Sequence, residues 1–211
     1  MYLFARMIAT DGDMEALMPL VQEISAIVKN EAHADANIWS GSNGFVAGTL
    51  IFTIAYESMA ARAEVTSKLA ASKAWWAANR KMREHITSIE PDTIYRYLRG
   101  GSMGSAIPLG TIVSQNQFQL AQGADWIAAL KWANDYSELS KKITGIEINM
   151  LHSLYGKLGE LSMLTGLPNA AAIDEHRAKL MANPEFMPKF LEGNQFALAG
   201  SVLQRHLVKI A

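Results

Sequence analysis

The chain has 211 residues, 19 Lys and Arg against 20 Asp and Glu, and no cysteine. Half of it is apolar and only 18% is charged, which supplies a sizeable core and excludes global disorder. A formal charge of −1 excludes the basic balance of a general nucleic-acid or membrane-surface binder, and the lack of Cys excludes disulfides, thiolate metal sites, Fe–S clusters and a Cys nucleophile.

The opening stretch, residues 1–13, is too short in its apolar part for a secretory leader, and Arg6 interrupts it. No run approaches the roughly 18 apolar residues that cross a bilayer. A cytoplasmic location is the expectation.

Residues 2–10 are β-rich and predict a strand. Met14, Leu17, Met18, Val21, Ile24 and Val28 then recur at helical spacing, which predicts a helix over 14–30 behind the Asp11-Gly12-Asp13 turn. Pro19 inside that pattern implies a later start or a kink. Strands follow at 36–40 and 45–56 around Ser42-Asn43-Gly44, then a long helical stretch over 59–86 and a strand at 92–98. The run Gly100-Gly101-Ser102-Met103-Gly104-Ser105 reads as a flexible connector between a unit at 1–99 and a unit at 106–211. The second unit repeats the order. It has a strand at 109–119, a helix at 123–144, strands at 147–155 and 159–166, helix over 170–198 broken at Asn183-Pro184, and a strand at 202–210.

A shift of 111 residues aligns the halves without gaps. Gly48 falls on Gly159, Glu64 on Glu175, Lys68 on Lys179, Leu69 on Leu180, and Trp75 on Phe186. Each unit is βαββαβ, which forms an antiparallel sheet with both helices on one face and leaves the other face to be covered. The predicted fold is therefore α+β, with two ferredoxin-like βαββαβ repeats forming one pseudo-dimeric α/β barrel. In residues 49–56, Leu50, Phe52, Ile54 and Tyr56 suit the helix-packed face, whereas Thr49, Ile51, Thr53 and Ala55 suit a cavity wall. Leu161, Met163 and Thr165 against Glu160, Ser162 and Leu164 divide in the same way.

The element order, the Tyr56-Glu57-Ser58 after the third strand and the helix containing Lys73-Ala74-Trp75-Trp76 resemble the tandem dimeric α/β-barrel superfamily, its NIPSNAP-like branch in particular. The resemblance covers nearly the whole chain. It implies a site inside the barrel and admits cofactor-free monooxygenases, haem-using enzymes, isomerases and members without an activity.

Gly100-Gly101-Ser102-Met103-Gly104 matches G-x-S-x-G, and Ser102, Asp174 and His206 stand in hydrolase order. Pro108 and a strand-like run follow where that motif needs a helix, so the connector reading is preferred. No two of the five His are spaced for a helical metal site, and no metal is expected. His85 and His176 lie on predicted helices among charged residues and are expected to face water. Arg6, on a strand between apolar neighbours, suits either an anionic ligand or an edge charge.

The expected ligand-binding residues are Asn37, Trp39, Tyr95, Tyr97, His152 and His206, all on predicted strands. They suit a small hydrophobic or aromatic molecule, with flat contacts from the aromatics and a proton or oxyanion partner from Asn or His. No catalytic residue is assigned. The expected function is small-molecule binding, with cofactor-independent monooxygenation or isomerisation as its chemistry. The alternatives are haem binding through a strand His, and a non-enzymatic oligomeric module with a filled interior. No cofactor is expected outside the haem alternative, and a homo-oligomer is compatible with each reading.

Overall fold

The computed structural model describes residues 1–101 and 107–211. Residues 102–106, which hold most of the predicted connector and the Ser of its G-x-S-x-G match, lie outside the described residues.

The first half contributes β1 (Tyr2–Thr10), α1 (Met14–Ala32), β2 (Ala36–Gly41), β3 (Thr49–Tyr56), α2 (Met59–Ala71), α3 (Lys73–Arg83), β4 (Ile86–Ile89) and β5 (Thr93–Arg99). The second contributes β6 (Ile112–Gln119), α4 (Trp126–Thr144), β7 (Ile148–Tyr155), β8 (Glu160–Leu167), α5 (Ala170–Ala182), α6 (Phe186–Glu192) and β9 (Leu203–Lys209). In hydrogen-bonding order the strands of the first half run β5-β1-β3-β2, and those of the second run β9-β6-β8-β7. Two antiparallel seams join them, β2 with β9 and β5 with β7, and close eight strands into a barrel. Short β4 pairs outside the circle with the end of β1.

The halves match locally as well as in strand order. Asp13 and Asp125 cap α1 and α4, each accepting from the backbone N–H three residues on. Ser58 and Asn169, 111 apart, cap α2 and α5 in the same way. Ser72 and Asn183 end those helices in nearly identical extended conformations. The Glu64–Lys68 and Glu175–Lys179 ion pairs, both 2.7 Å, occupy equivalent turns. Gly48 and Gly159 sit at φ of 80° and 78°, left-handed values that glycine adopts without penalty, and each offers its carbonyl to the end of the first strand of its half. Even β4 has a vestige in the second half, the isolated bridge Leu120–Ala197, 110 and 111 residues beyond the Thr10–Ile86 pair.

Two differences from the sequence reading have local causes. The stretch 59–86 is two helices, because Ser72 leaves helical geometry (ψ 120°) and turns its hydroxyl to the N–H of Trp75, stopping α2 and starting α3. Helix α1 begins at Met14 and runs through Pro19 rather than starting after it; the Asp13 cap starts the helix, and Pro19 withholds a single helical donor, the one that would reach the Glu15 carbonyl.

Helices cover the outside of the barrel. α1 presents Leu17, Val21, Ile24 and Val28 as a buried stripe at i, i+4, i+7 and i+11. Each such side chain contributes about 1.5–3 kcal/mol on burial. Leu50 and Phe52 of β3 meet this helical layer. On the opposite half, Leu161 and Met163 of β8 meet Trp132 and Tyr136 of α4 and Phe186 of α6. The alternate residues, Ile51 and Ala55 of β3 and Leu164 of β8, turn into the barrel.

Candidate functional site

The interior is a mainly apolar chamber. Leu3, Ile51, Leu151, Leu164 and Leu207, one from each of five strands, pack around it. They enclose a cavity of about 400 Å³ that opens between Phe45, the Glu90-Pro91 turn and the Gly156-Lys157 turn. A fully filled barrel would leave no such space; this volume is within the range of small-molecule pockets.

Polar groups line it as well, among them Thr53, Gln115, Gln117, Ser162 and Glu160. Glu160, the first residue of β8, is 95% shielded from solvent, being only 5% exposed. Its Oε1 accepts a 2.6 Å hydrogen bond from the Tyr95 hydroxyl of β5. Burial, and then the neighbouring Glu160 carboxylate, push the Tyr95 phenol well above its ordinary range, so Tyr95 holds its proton and remains the donor. Gln115 of β6 donates to the Ser162 hydroxyl at 3.0 Å, and both line the cavity. Arg205 of β9 reaches the mouth, where its guanidinium lies 4.8 Å from the centre of the Phe45 ring.

Four of the six residues singled out from the sequence are on the inward face. Tyr95 lines the cavity; Trp39 and Tyr97 pack in the same interior cluster. Asn37 is buried on the Trp39 side of β2, opposite Thr53. Trp39 Nε1 donates to Thr53 Oγ1 at 2.9 Å, and that hydroxyl donates to the Asn37 carbonyl at 3.3 Å, so the indole is a satisfied part of the wall.

The two histidines are elsewhere, which corrects the expectation that they point inward. Strand alternation assigns the inward positions to their neighbours Leu151 and Leu207. His152 pairs across β8 with the outward Leu161 and lies edge-on to Trp126 of α4. Burial and the charge of Arg96 hold its pKa below the ordinary value. His206 faces a separate cavity of about 420 Å³ between the sheet and α5–α6, where Asn43 Nδ2 lies 3.1 Å from its Nδ1. His176 borders that same outer cavity with Nε2 buried, rather than facing water. His85 is held by Asp11 at 2.9 Å. No histidine lines the interior cavity, so a haem placed inside the barrel would find no axial imidazole there, and the residues present do not fit the haem alternative at this site.

Arg6 is committed to Asp92 through two 2.7 Å hydrogen bonds, which removes it as a free anion binder. It borders a third cavity, about 390 Å³, between the first half of the sheet and α2–α3. Among the described residues no cluster of three or more His, Asp or Glu could hold a metal ion, and no helix is long and apolar enough to cross a membrane.

Glu160 and Arg205 were not singled out from the sequence as site residues. For Glu160 the signal was present: an acidic residue in the inward series of a strand otherwise buried throughout its first six positions. Arg205 carried no comparable mark, because its partner ring comes from a distant hairpin loop.

No family model matches the chain, and no curated protein sequence matches it. Solved structures do. A protein from Fusobacterium nucleatum, provisionally described as a monooxygenase, superposes with a TM-score of 0.71 at 7% identity over 100% of this chain and 92% of its own. An anthrone oxidase-like protein superposes at 0.66 with 15% identity, over 100% and 91%. A NIPSNAP family protein from Agrobacterium tumefaciens covers 49% of this chain and 90% of its own at 17% identity and a TM-score of 0.41, too low to carry weight. The full-length likenesses show the architecture alone: an α+β fold whose eight-stranded antiparallel barrel is covered by helices.

Proposed function

We propose that this chain binds a small hydrophobic or aromatic molecule inside its barrel, and that cofactor-independent monooxygenation or isomerisation is the chemistry performed there. The observation that carries the reading is the Tyr95–Glu160 hydrogen bond in the wall of an otherwise largely apolar 400 Å³ cavity. A carboxylate kept out of water at the edge of an apolar pocket is placed to accept a proton from a bound molecule, and a neighbouring phenol that keeps its own proton is placed to donate to an oxygen. The descriptions of two full-length structural neighbours, a provisional monooxygenase and an anthrone oxidase-like protein, agree with this class.

The two halves are read as ferredoxin-like repeats. Their identical strand orders and their matched caps, glycines and ion pairs support that reading. Because both seams close within one chain, the proposed site is complete without a second copy. The module reading required a filled interior, and the cavity argues against it.

The test is native mass spectrometry of the protein purified from its own host, with an absorption spectrum of the same sample. A bound organic mass without a Soret band supports the proposal. A haem mass with that band contradicts it.

A further inference from the structure

Arg205 is a cation without a counter-ion. Its Nε is buried and has no hydrogen-bond acceptor, and no carboxylate among the described residues forms an ion pair with it. Arg62, Arg83 and Arg177 also line cavities without an ion pair among the described residues, but Arg205 alone of the arginines there has a buried Nε with no acceptor. Arg6 is bidentate with Asp92, and Arg99 is held by Glu138 and Glu147. Of the two acidic residues that line the chamber, Glu90 and Glu160, neither forms an ion pair with Arg205, and Glu160 accepts from the Tyr95 hydroxyl.

A guanidinium stays charged at any physiological pH, and a buried N–H with no acceptor is costly unless something fills the place. The Phe45 ring supports one face of the group, leaving the in-plane N–H donors to make further contacts. Arg205 lines both the chamber and the outer cavity beside His206, and its positive charge reaches the Tyr95 hydroxyl inside the chamber.

Resting on the pocket reading above, we propose that the interior site is built for an organic acid: an aromatic or hydrophobic body among Leu3, Ile51, Leu151 and Leu164, with a carboxylate at the mouth held by Arg205. The fork of N–H donors matches a carboxylate's two oxygens, and the buried Glu160 carboxylate inside the chamber repels a second negative charge. The ligand is therefore a monoanion with its charge at one end.

The experiment is protein-observed NMR of methionine methyl groups on the full chain, titrated with matched probes: benzoate, phenylacetate and 2-naphthoate against benzamide, phenylacetamide and 2-naphthamide, with the corresponding primary amines as the cationic set. The Met7 methyl, which faces the chamber, reports occupancy. The acids are expected to bind at least about tenfold more tightly than their amides, and Arg205→Gln to abolish that preference while leaving amide binding in place. Wild-type selectivity alone carries the test if the variant does not fold. Amides binding as well as acids, amines binding best, or a preference that survives Arg205→Gln each overturn the organic-acid inference and leave the pocket standing. No member of any set moving the Met7 methyl overturns the pocket reading, and this inference with it.

Discussion

The Tyr95 hydroxyl donates to Glu160 Oε1 at 2.6 Å from a strand of the opposite half of the chain. Neither half alone contains the pair, so the chemistry-bearing edge of the chamber exists only once the barrel closes along the β5–β7 seam.

Removing the donor leaves a buried carboxylate short of a partner. Tyr95→Phe is expected to cost about 1–3 kcal/mol in stability and to weaken ligand binding. Glu160→Gln keeps an acceptor oxygen and is expected to cost less. Urea denaturation of the three proteins checks the order; a Tyr95→Phe protein as stable as wild type would contradict it.

Thr53→Val deletes the acceptor of Trp39 Nε1 at nearly constant volume. A loss of about 1–3 kcal/mol is expected, with a changed Trp emission because the indole N–H loses its bond. Equal stability would show that the bond does not organise the wall.

Alkaline pH is expected to destabilise the fold. Burial pushes the phenols of Tyr56 and Tyr136 up to about 12, and Tyr95 is raised well above its ordinary value. In the unfolded chain each loses its proton near pH 10, about the ordinary tyrosine value. The folded protein therefore binds more protons above that pH, and stability falls as pH rises from there through 12. Below pH 10 these groups contribute fully. Denaturation midpoints between pH 8 and pH 12, the range these groups bracket, read the effect. A midpoint that does not fall above pH 10 contradicts the burial of these phenols.

His152→Ala and His206→Ala are expected to leave interior binding unchanged, since both rings lie on the helix side of the sheet. A calorimetric titration with an interior ligand distinguishes them from Tyr95→Phe, which should weaken it.

Much of the barrel was legible in the sequence because its determinants are local and doubled. Strand alternation in 49–56 separated the inward Ile51 and Ala55 from the helix-packed Leu50 and Phe52, and the 111-residue shift found the same division around Glu160 and Ser162. The break at Ser72 was missed because a serine within a helical pattern looks like any polar surface residue; only its counterpart Asn183, which precedes Pro184, signals a stop. The facing of the histidines is not legible for a related reason. Alternation gives two faces but not which is which, and His152 and His206 sit one residue from the leucines that take the inside. The inward position of Glu160 is legible in that division, but its Tyr95 partner and the Phe45 partner of Arg205 come from distant parts of the chain, which no local pattern encodes.

The most direct measurement of the central claim uses methionine methyl groups labelled with carbon-13. Met7 faces the interior cavity, Met82 the outer cavity of the first half, and Met181 and Met187 that of the second. On titration with 2-naphthoate, the account predicts that the Met7 resonance moves while those of Met82, Met181 and Met187 stay in place. Movement of Met82, or of Met181 and Met187, with Met7 unmoved would place the ligand between helices and sheet and contradict a binding site inside the barrel.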